Sequence, residues 1–296
     1  MVSTLPFQPV IIVGAGRSGT NMLRDAMCRL PYFETWDCDE INPIWRHGNI
    51  AYPNDEFSPE MATRPVNHFI RNRFLKEWKR SGQPQFLLEK TCANSLRVGF
   101  VDKVLPEAKY IFLVRNGLDV VASAQKRWRG DMEVESLPYY WSKVRNTPIF
   151  DLPIYGLRFL QARISMVLGT KDHMSFWGPK FSELTKLPPS MPLEELCALQ
   201  WQACIENSLR DFALMDGQKH LTLRYEDFVS SPEQQLGKIL DFLEVNGSSE
   251  DIARAVKSVS SKSIGKGRKT LTDEHQGIAK MVASVMSRFD IQMEVD

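Results

Sequence analysis

The stretch that most constrains this chain is Pro9–Asn21, Pro-Val-Ile-Ile-Val-Gly-Ala-Gly-Arg-Ser-Gly-Thr-Asn, which runs directly into Met-Leu-Arg-Asp-Ala-Met-Cys-Arg-Leu ending at Leu30. Val10 to Val13 is a β-branched run that reads as a buried parallel strand, and Leu23, Ala26, Met27 and Leu30 recur at helical spacing beyond the glycines. Strand, glycine turn and helix together make an anion cradle. The first N–H groups of a helix have no intrahelical acceptor, and the macrodipole adds partial positive charge there.

The glycines alone do not say which anion is held. Gly14, Gly16 and Gly19 have the spacing of a dinucleotide-binding turn, and Gly14 with Gly19 also fits the frame of a P-loop. A P-loop for triphosphates carries Lys-Ser/Thr after its last glycine, whereas Thr20 and Asn21 stand here. A dinucleotide site needs an acidic residue about 20 positions on, at the end of a second strand. Glu34 and Asp37 fall in that region, but Pro31–Asp37 makes a weak strand. Arg17, a cation inside the turn, belongs to neither pattern.

A net charge of +1 over 296 residues gives no general attraction to nucleic acid, membranes or acidic polymers, so any anion is bound locally. The length and the 43% hydrophobic content suit one α/β domain spanning residues 1–296. No apolar run reaches the roughly 18 residues that span a bilayer, and no secretory signal is visible. Cys28, Cys38, Cys92, Cys197 and Cys204 are scattered with no C-x-x-C pair, which suggests reduced thiols in a cytoplasmic protein and no zinc site.

Further along, Phe86–Leu88 reads as a strand ending in Glu89-Lys90-Thr91, and Ser95 reads as the cap of a helix running to Leu105. Tyr110–Val114 is the strongest strand. It ends in Arg115-Asn-Gly-Leu-Asp119-Val-Val-Ala-Ser123, a second turn into a helix. Arg115 at the strand end and Ser123 about two turns into the helix can reach one phosphate from different sides. Ligands of open α/β sheets lie at the carboxyl ends of the strands, so both turns face one crevice.

Gly-x-x-Arg-Ser-Gly-Thr-Asn after one strand and Leu-Val-Arg-Asn-x-x-Asp-x-x-x-Ser after another resemble the sulfotransferases that use 3′-phosphoadenosine 5′-phosphosulfate (PAPS), most nearly the bacterial and the Golgi or tyrosylprotein types. Leu221–Phe228 is similar to a strand and helix of those members, and Ser263–Leu271 resembles their C-terminal cofactor loop. The resemblance covers residues 8–30, 86–127 and 219–290. It implies a P-loop-like domain with a central parallel sheet flanked by helices. It also implies PAPS as cofactor, leaving as 3′,5′-ADP, with no metal. The first loop, Gly16, Arg17, Ser18, Gly19, Thr20 and Asn21, would hold the 5′-phosphosulfate. Arg115 and Ser123 would hold the 3′-phosphate, and Tyr225, Lys266, Gly267, Arg268 and Lys269 would close over the nucleotide. Arg17 stands where many relatives carry lysine, and Gly267 where they carry an aromatic residue.

Sulfuryl transfer is analogous to phosphoryl transfer: charge builds on the leaving oxygen and the nucleophile gives up a proton. Arg17 and the N–H groups of Ser18, Gly19, Thr20 and Asn21 suit the first need. A glutamate 20 to 25 residues after the first-loop cation serves as base in several relatives, and Glu40 follows Arg17 by 23. Asp39, Glu89, His47 and His68 are the alternatives. Segments 36–80 and 128–200 would meet a small-molecule or glycan acceptor. Lys90, Trp45, His47 and Trp128 are candidate contacts to the acceptor or the sulfate, and Trp177-Gly178 sits in a tract that borders the acceptor site in bacterial relatives. A P-loop kinase or other NTP-using enzyme and a non-catalytic nucleotide-binding module are the competing readings.

Overall fold

The centre of the structure is β1 (Gln8–Val13), the middle strand of a five-stranded sheet in the order β2-β3-β1-β4-β5. The computed structural model describes residues 4–129, 145–149, 151–153, 177–188, 190–267 and 275–295. The other strands are β2 (Phe33–Thr35), β3 (Phe86–Glu89), β4 (Lys109–Val114) and β5 (His220–Arg224), and every pairing is parallel. A parallel sheet needs a crossover between neighbouring strands and is covered on both faces, which is why β1 and β4 read as unbroken apolar runs.

Alternation along the strands divides these runs between two cores. Ile11, Val13, Tyr110, Phe112 and Val114 face one side. There they pack with α3 (Arg64–Arg80), α4 (Val98–Val104), α5 (Gly117–Trp128), α6 (Leu193–Phe212) and α10 (Gln276–Val295). Val10, Ile12, Ile111, Leu113 and Leu223 face the other, against α1 (Thr20–Met27), α7 (Tyr225–Ser230), α8 (Pro232–Phe242) and α9 (Ser249–Val256). The α/β fold expected from the sequence, a central parallel sheet flanked by helices, is the architecture found.

Two local expectations change. Pro31–Asp37 does contain a strand, β2, but only three residues long and at the sheet edge, where Phe33 stacks on Phe86 with ring centroids 5.0 Å apart. Ser95 caps no α-helix. It lies inside a 3-10 turn, Cys92–Leu96, where its hydroxyl donates to the Cys92 carbonyl at 2.7 Å, and α4 starts only after Arg97.

A short helix, α2 (Asn42–Trp45), follows the acidic cluster and drives Trp45 into the core. Its indole is fully buried, 5.5 Å from the Phe74 ring and 6.5 Å from that of Phe100. Trp45 is therefore a core residue with no surface for an acceptor. Removing a buried tryptophan leaves a cavity that costs about 3–5 kcal/mol. Trp45→Ala is expected to lower the unfolding free energy by about that amount in urea titration; a loss under about 1 kcal/mol would contradict this placement.

Candidate active site

The first loop leaves β1 with two residues in left-handed backbone. Arg17 has φ 71° and Gly19 has φ 90°. At Gly19 a side chain is excluded twice, since a Cβ would also come within 2.5 Å of the Tyr225 ring. The Arg17 conformation is one that non-glycine residues seldom take, and its own bonds hold it there. Its carbonyl accepts from an Arg115 guanidinium nitrogen at 3.2 Å, and its Nε donates to Ser123 Oγ at 2.9 Å.

Thr20 and Asn21 open α1, where first-turn N–H groups lack intrahelical acceptors. The Ser18 N–H is different, because it is already spent on the Ala15 carbonyl at 3.1 Å, so the loop offers one donor fewer than its sequence suggests. The Ser18 hydroxyl, fully buried, has no partner among the described residues.

The second loop starts at Arg115, whose guanidinium lies over the Tyr225 ring, 4.4 Å from its centroid, and donates to the Ser263 carbonyl at 2.8 Å. Tyr225 and Ser263 hydroxyls meet at 2.6 Å. Asn116 caps α5 by accepting from the Leu118 N–H at 3.0 Å.

The C-terminal loop docks on the same helix start. Both oxygens of Asp119 are used, one accepting from Gly265 N at 2.8 Å and the other from Gly267 N at 2.6 Å. Gly267 lies so close that a Cβ would sit 2.2 Å from the Leu118 carbonyl. The absence of a side chain at Gly267 is thus what lets this loop touch the α5 backbone. Lys266 is exposed on the loop, while Arg268 and Lys269 lie outside the described residues.

These parts surround a cleft of about 310 Å³ lined by Gly16, Arg17, Gly19, Thr20, Asn21, Asp39, Glu40, Lys90, Cys92, Arg115, Arg127, Trp177, Gly178 and Pro179. Burial, then repulsion from Arg127 and Arg115, lowers the Arg17 pKa. Cations crowded in a partly dry site make a field that an anion relieves.

Across the cleft, Lys90 Nζ is 3.0 Å from Glu40 Oε1, which also accepts from the Cys92 N–H at 3.2 Å. Burial by itself raises the Glu40 pKa, but Lys90 and Cys92 outweigh it and hold the carboxyl below its ordinary range. Lys90, in spite of burial, is held above its own by Glu40. The partner of Lys90 is thus Glu40, and Glu89 turns inward to accept from Thr91 Oγ1 and, at 2.8 Å, from Asn94 Nδ2.

Of the expected residues, the structure brings together the first loop, Glu40, Lys90, Arg115 and, through its bond to Arg17, Ser123. Tyr225 and Gly267 support them from beneath. His47 lies elsewhere, 2.8 Å from Asp151 and stacked on Phe69 with centroids 3.8 Å apart. His68 is bonded to Asn72 at 2.8 Å. Trp128 is buried and reaches the cleft only by an edge contact with Trp177. Arg127 and Cys92 were missed, and Asp119, a residue of the second motif, was given no role. Arg127 falls one turn after Ser123 in α5, so helical spacing from that motif residue points to it.

Residues 9–142 match the model of the Sulfotransferase family, a stretch that holds the loops of both Arg17 and Arg115. That stretch of the chain is similar in sequence to the sulfotransferases, and the whole fold is similar to theirs. The sulfotransferase STF9 from Mycobacterium avium superposes with a TM-score of 0.55 at 12% identity, over 96% of this chain and 77% of that one. The mouse sulfotransferase SULT7A1, solved with PAP, superposes with a TM-score of 0.51 at 13% identity, over 96% and 86% of the two chains. Comparison with curated proteins finds no significant sequence match. Among the described residues no group of His, Cys, Asp and Glu is placed to hold a metal ion, and no helix is long and apolar enough to cross a membrane.

Burial raises the Glu89 carboxyl to about 7 from 4.5. A carboxyl raised in the folded state favours folding most when protonated, so its contribution is complete below pH 4.5 and is lost as pH rises through about 7. Urea titrations from pH 5 to 8 are expected to show the wild type losing about 2–3 kcal/mol relative to Glu89→Gln. Parallel pH profiles for the two proteins would contradict the buried, proton-holding environment of Glu89.

Proposed function

We propose that the chain is a PAPS-dependent sulfotransferase that sulfates a hydroxyl or amine of a small-molecule or glycan acceptor. The observation that carries this reading is one cleft in which Arg17, Arg115 and the open start of α1 face an ionised carboxylate, Glu40. The cradle suits such a cofactor: first-turn N–H groups without intrahelical acceptors at the start of α1, and three arginines in mutual repulsion. PAPS, when bound, supplies an activated sulfuryl group on a phosphate leaving group.

The residues divide the work. Arg17 and the N–H groups of Thr20 and Asn21 stabilise negative charge at the first loop. Arg115 and Ser123 bind the second phosphate, and Asp119 keeps the C-terminal loop docked beside them. Glu40 receives the acceptor's proton. It is ionised at neutral pH because Lys90 and the Cys92 N–H hold it so. Lys90 supplies a second cation next to the base. Asp39, Glu40 and the Trp177–Pro179 tract form the acceptor side of the cleft. An NTP-using enzyme fits less well, since Thr20 and Asn21 stand where the P-loop lysine would follow Gly19.

Two measurements test this. 3′,5′-ADP at 100 times its dissociation constant is expected to add about 2.7 kcal/mol of stability and raise the melting temperature by several degrees. Stabilisation by ATP with Mg²⁺ or by NAD, without any by 3′,5′-ADP, would sink the reading. Labelled PAPS incubated with the protein and an extract of its source organism is expected to yield a labelled acceptor fraction. On that fraction Glu40→Gln should lower turnover by about 10²–10⁴-fold while still binding 3′,5′-ADP. Wild-type turnover in this variant would remove Glu40 as the base.

A further inference from the structure

The tract carrying Trp177, Gly178 and Pro179 belongs to no phosphate loop, yet it forms one wall of the cleft. Trp177 lies against the first loop itself, since a Cβ at Gly16 would come within 3.2 Å of its ring. A wall at that point decides what can approach the first loop from the acceptor side. What fixes the wall is a group outside the cleft.

Asp55 is 1% exposed, and its Oδ1 lies 2.6 Å from an Arg46 guanidinium nitrogen and 3.5 Å from one of Arg97. Both arginines are themselves buried. The other oxygen, Oδ2, accepts from the Lys180 N–H at 2.9 Å, and the Asp55 N–H donates to the Lys180 carbonyl at 2.7 Å. Asp55 thus brackets Lys180 from both sides, next to the cleft residues. The wall's other support is α6, where Gln200 Nε2 donates to the Trp177 and Pro179 carbonyls at 2.9 and 3.0 Å.

The same cluster reaches the opposite side of the cleft. Arg97 Nε donates to Asn94 Oδ1 at 3.0 Å, and Asn94 Nδ2 donates to Glu89, the neighbour of Lys90 in sequence. A second Arg97 nitrogen donates to Asn42, two residues after Glu40. Moving the carboxylate from between two buried guanidiniums would leave their charges uncompensated, so the cluster tolerates little displacement. A carboxylate that only balanced charge would have no need of the Lys180 backbone.

We propose that Asp55 is a positioning residue for the acceptor side of the reaction, holding the Trp177–Pro179 wall in register with Glu40 and Lys90; this rests on the sulfuryl-transfer reading above. Asp55 touches no reacting atom. Its loss therefore acts on acceptor binding and leaves nucleotide binding alone.

The test is Asp55→Asn, read in three ways. Hydrogen exchange followed by mass spectrometry over residues 177–184 should show the Lys180 amide exchanging at least tenfold faster. The amount of labelled acceptor fraction giving half-maximal transfer should rise at least tenfold, while the dissociation constant of 3′,5′-ADP stays within twofold of wild type. Unchanged exchange at Lys180, or unchanged half-saturation, would overturn the assignment, as would a matching loss of 3′,5′-ADP affinity. Arg46→Met combined with Asp55→Asn removes a cation together with the anion, leaving the buried charge of the trio as it was. It carries the same three expectations should the single variant not fold. Failure of the wild type to bind 3′,5′-ADP would instead count against the sulfuryl-transfer reading, because the exchange readout involves no nucleotide.

Discussion

The pairing of β1 with β4 is the contact on which the rest of the site depends. The two strands run parallel with Val13 opposite Phe112, so their carboxyl ends lie side by side and the loops that follow leave the sheet together. Arg17 and Arg115 are 98 residues apart in sequence, yet the guanidinium of one bonds the carbonyl of the other. With β3 on the opposite flank of β1, Lys90 is delivered to the same edge. Three strand ends thus bring the Arg17 and Arg115 loops and the Lys90–Glu40 pair around one cleft, with helices packed on both faces of the sheet.

That geometry has an electrostatic cost. Arg17, Arg115 and Arg127 share a partly buried cleft, and burial, followed by repulsion from the other two, lowers the Arg17 pKa. The nearby carboxylates offset this only in part: Asp119 lies 3.7 Å from an Arg115 nitrogen but gives its closest contacts to two backbone N–H groups, while Asp39 is paired with Arg24 at 3.1 Å and Glu40 with Lys90. Arg17 also sits in left-handed backbone. Strain and like charge gathered at one loop are features that packing for stability alone does not produce.

How much of this the sequence reveals depends on the kind of force involved. The strands around Val10–Val13 and Tyr110–Val114 announce themselves because a sheet covered on both faces needs continuous apolar residues. The loops announce themselves through residue types whose chemistry is narrow: glycine where a side chain would strike Tyr225, and arginine and serine that meet where the two loops converge. Trp45, Trp128 and His47 were misplaced because aromatic composition is the same in a core and in a binding wall. Only tertiary packing shows that Trp45 lies between Phe74 and Phe100. The Ser95 cap failed for a local reason, as its hydroxyl found the Cys92 carbonyl first. Asp55 gave no signal, because its partners Arg97 and Lys180 are 42 and 125 residues away and no spacing rule relates them.

The pair Lys90–Glu40 links the two halves of the site through a single charge. Alone, Lys90 keeps Glu40 ionised but also weakens it as a base, since the pairing that lowers a carboxyl's pKa lowers its affinity for a proton. An anion entering beside Lys90 draws on the same ammonium. The hold on Glu40 is then shared, and its proton affinity rises while it remains ionised. In the proposed reaction the carboxylate therefore becomes a stronger base at the moment the cradle is filled. A glutamate with no lysine beside it would have no such dependence, and a glutamate with a private lysine, out of reach of the cleft, would stay a weak base throughout. That both Glu40 and Lys90 line the cleft, while Glu89 turns into the core, is what makes the coupling possible.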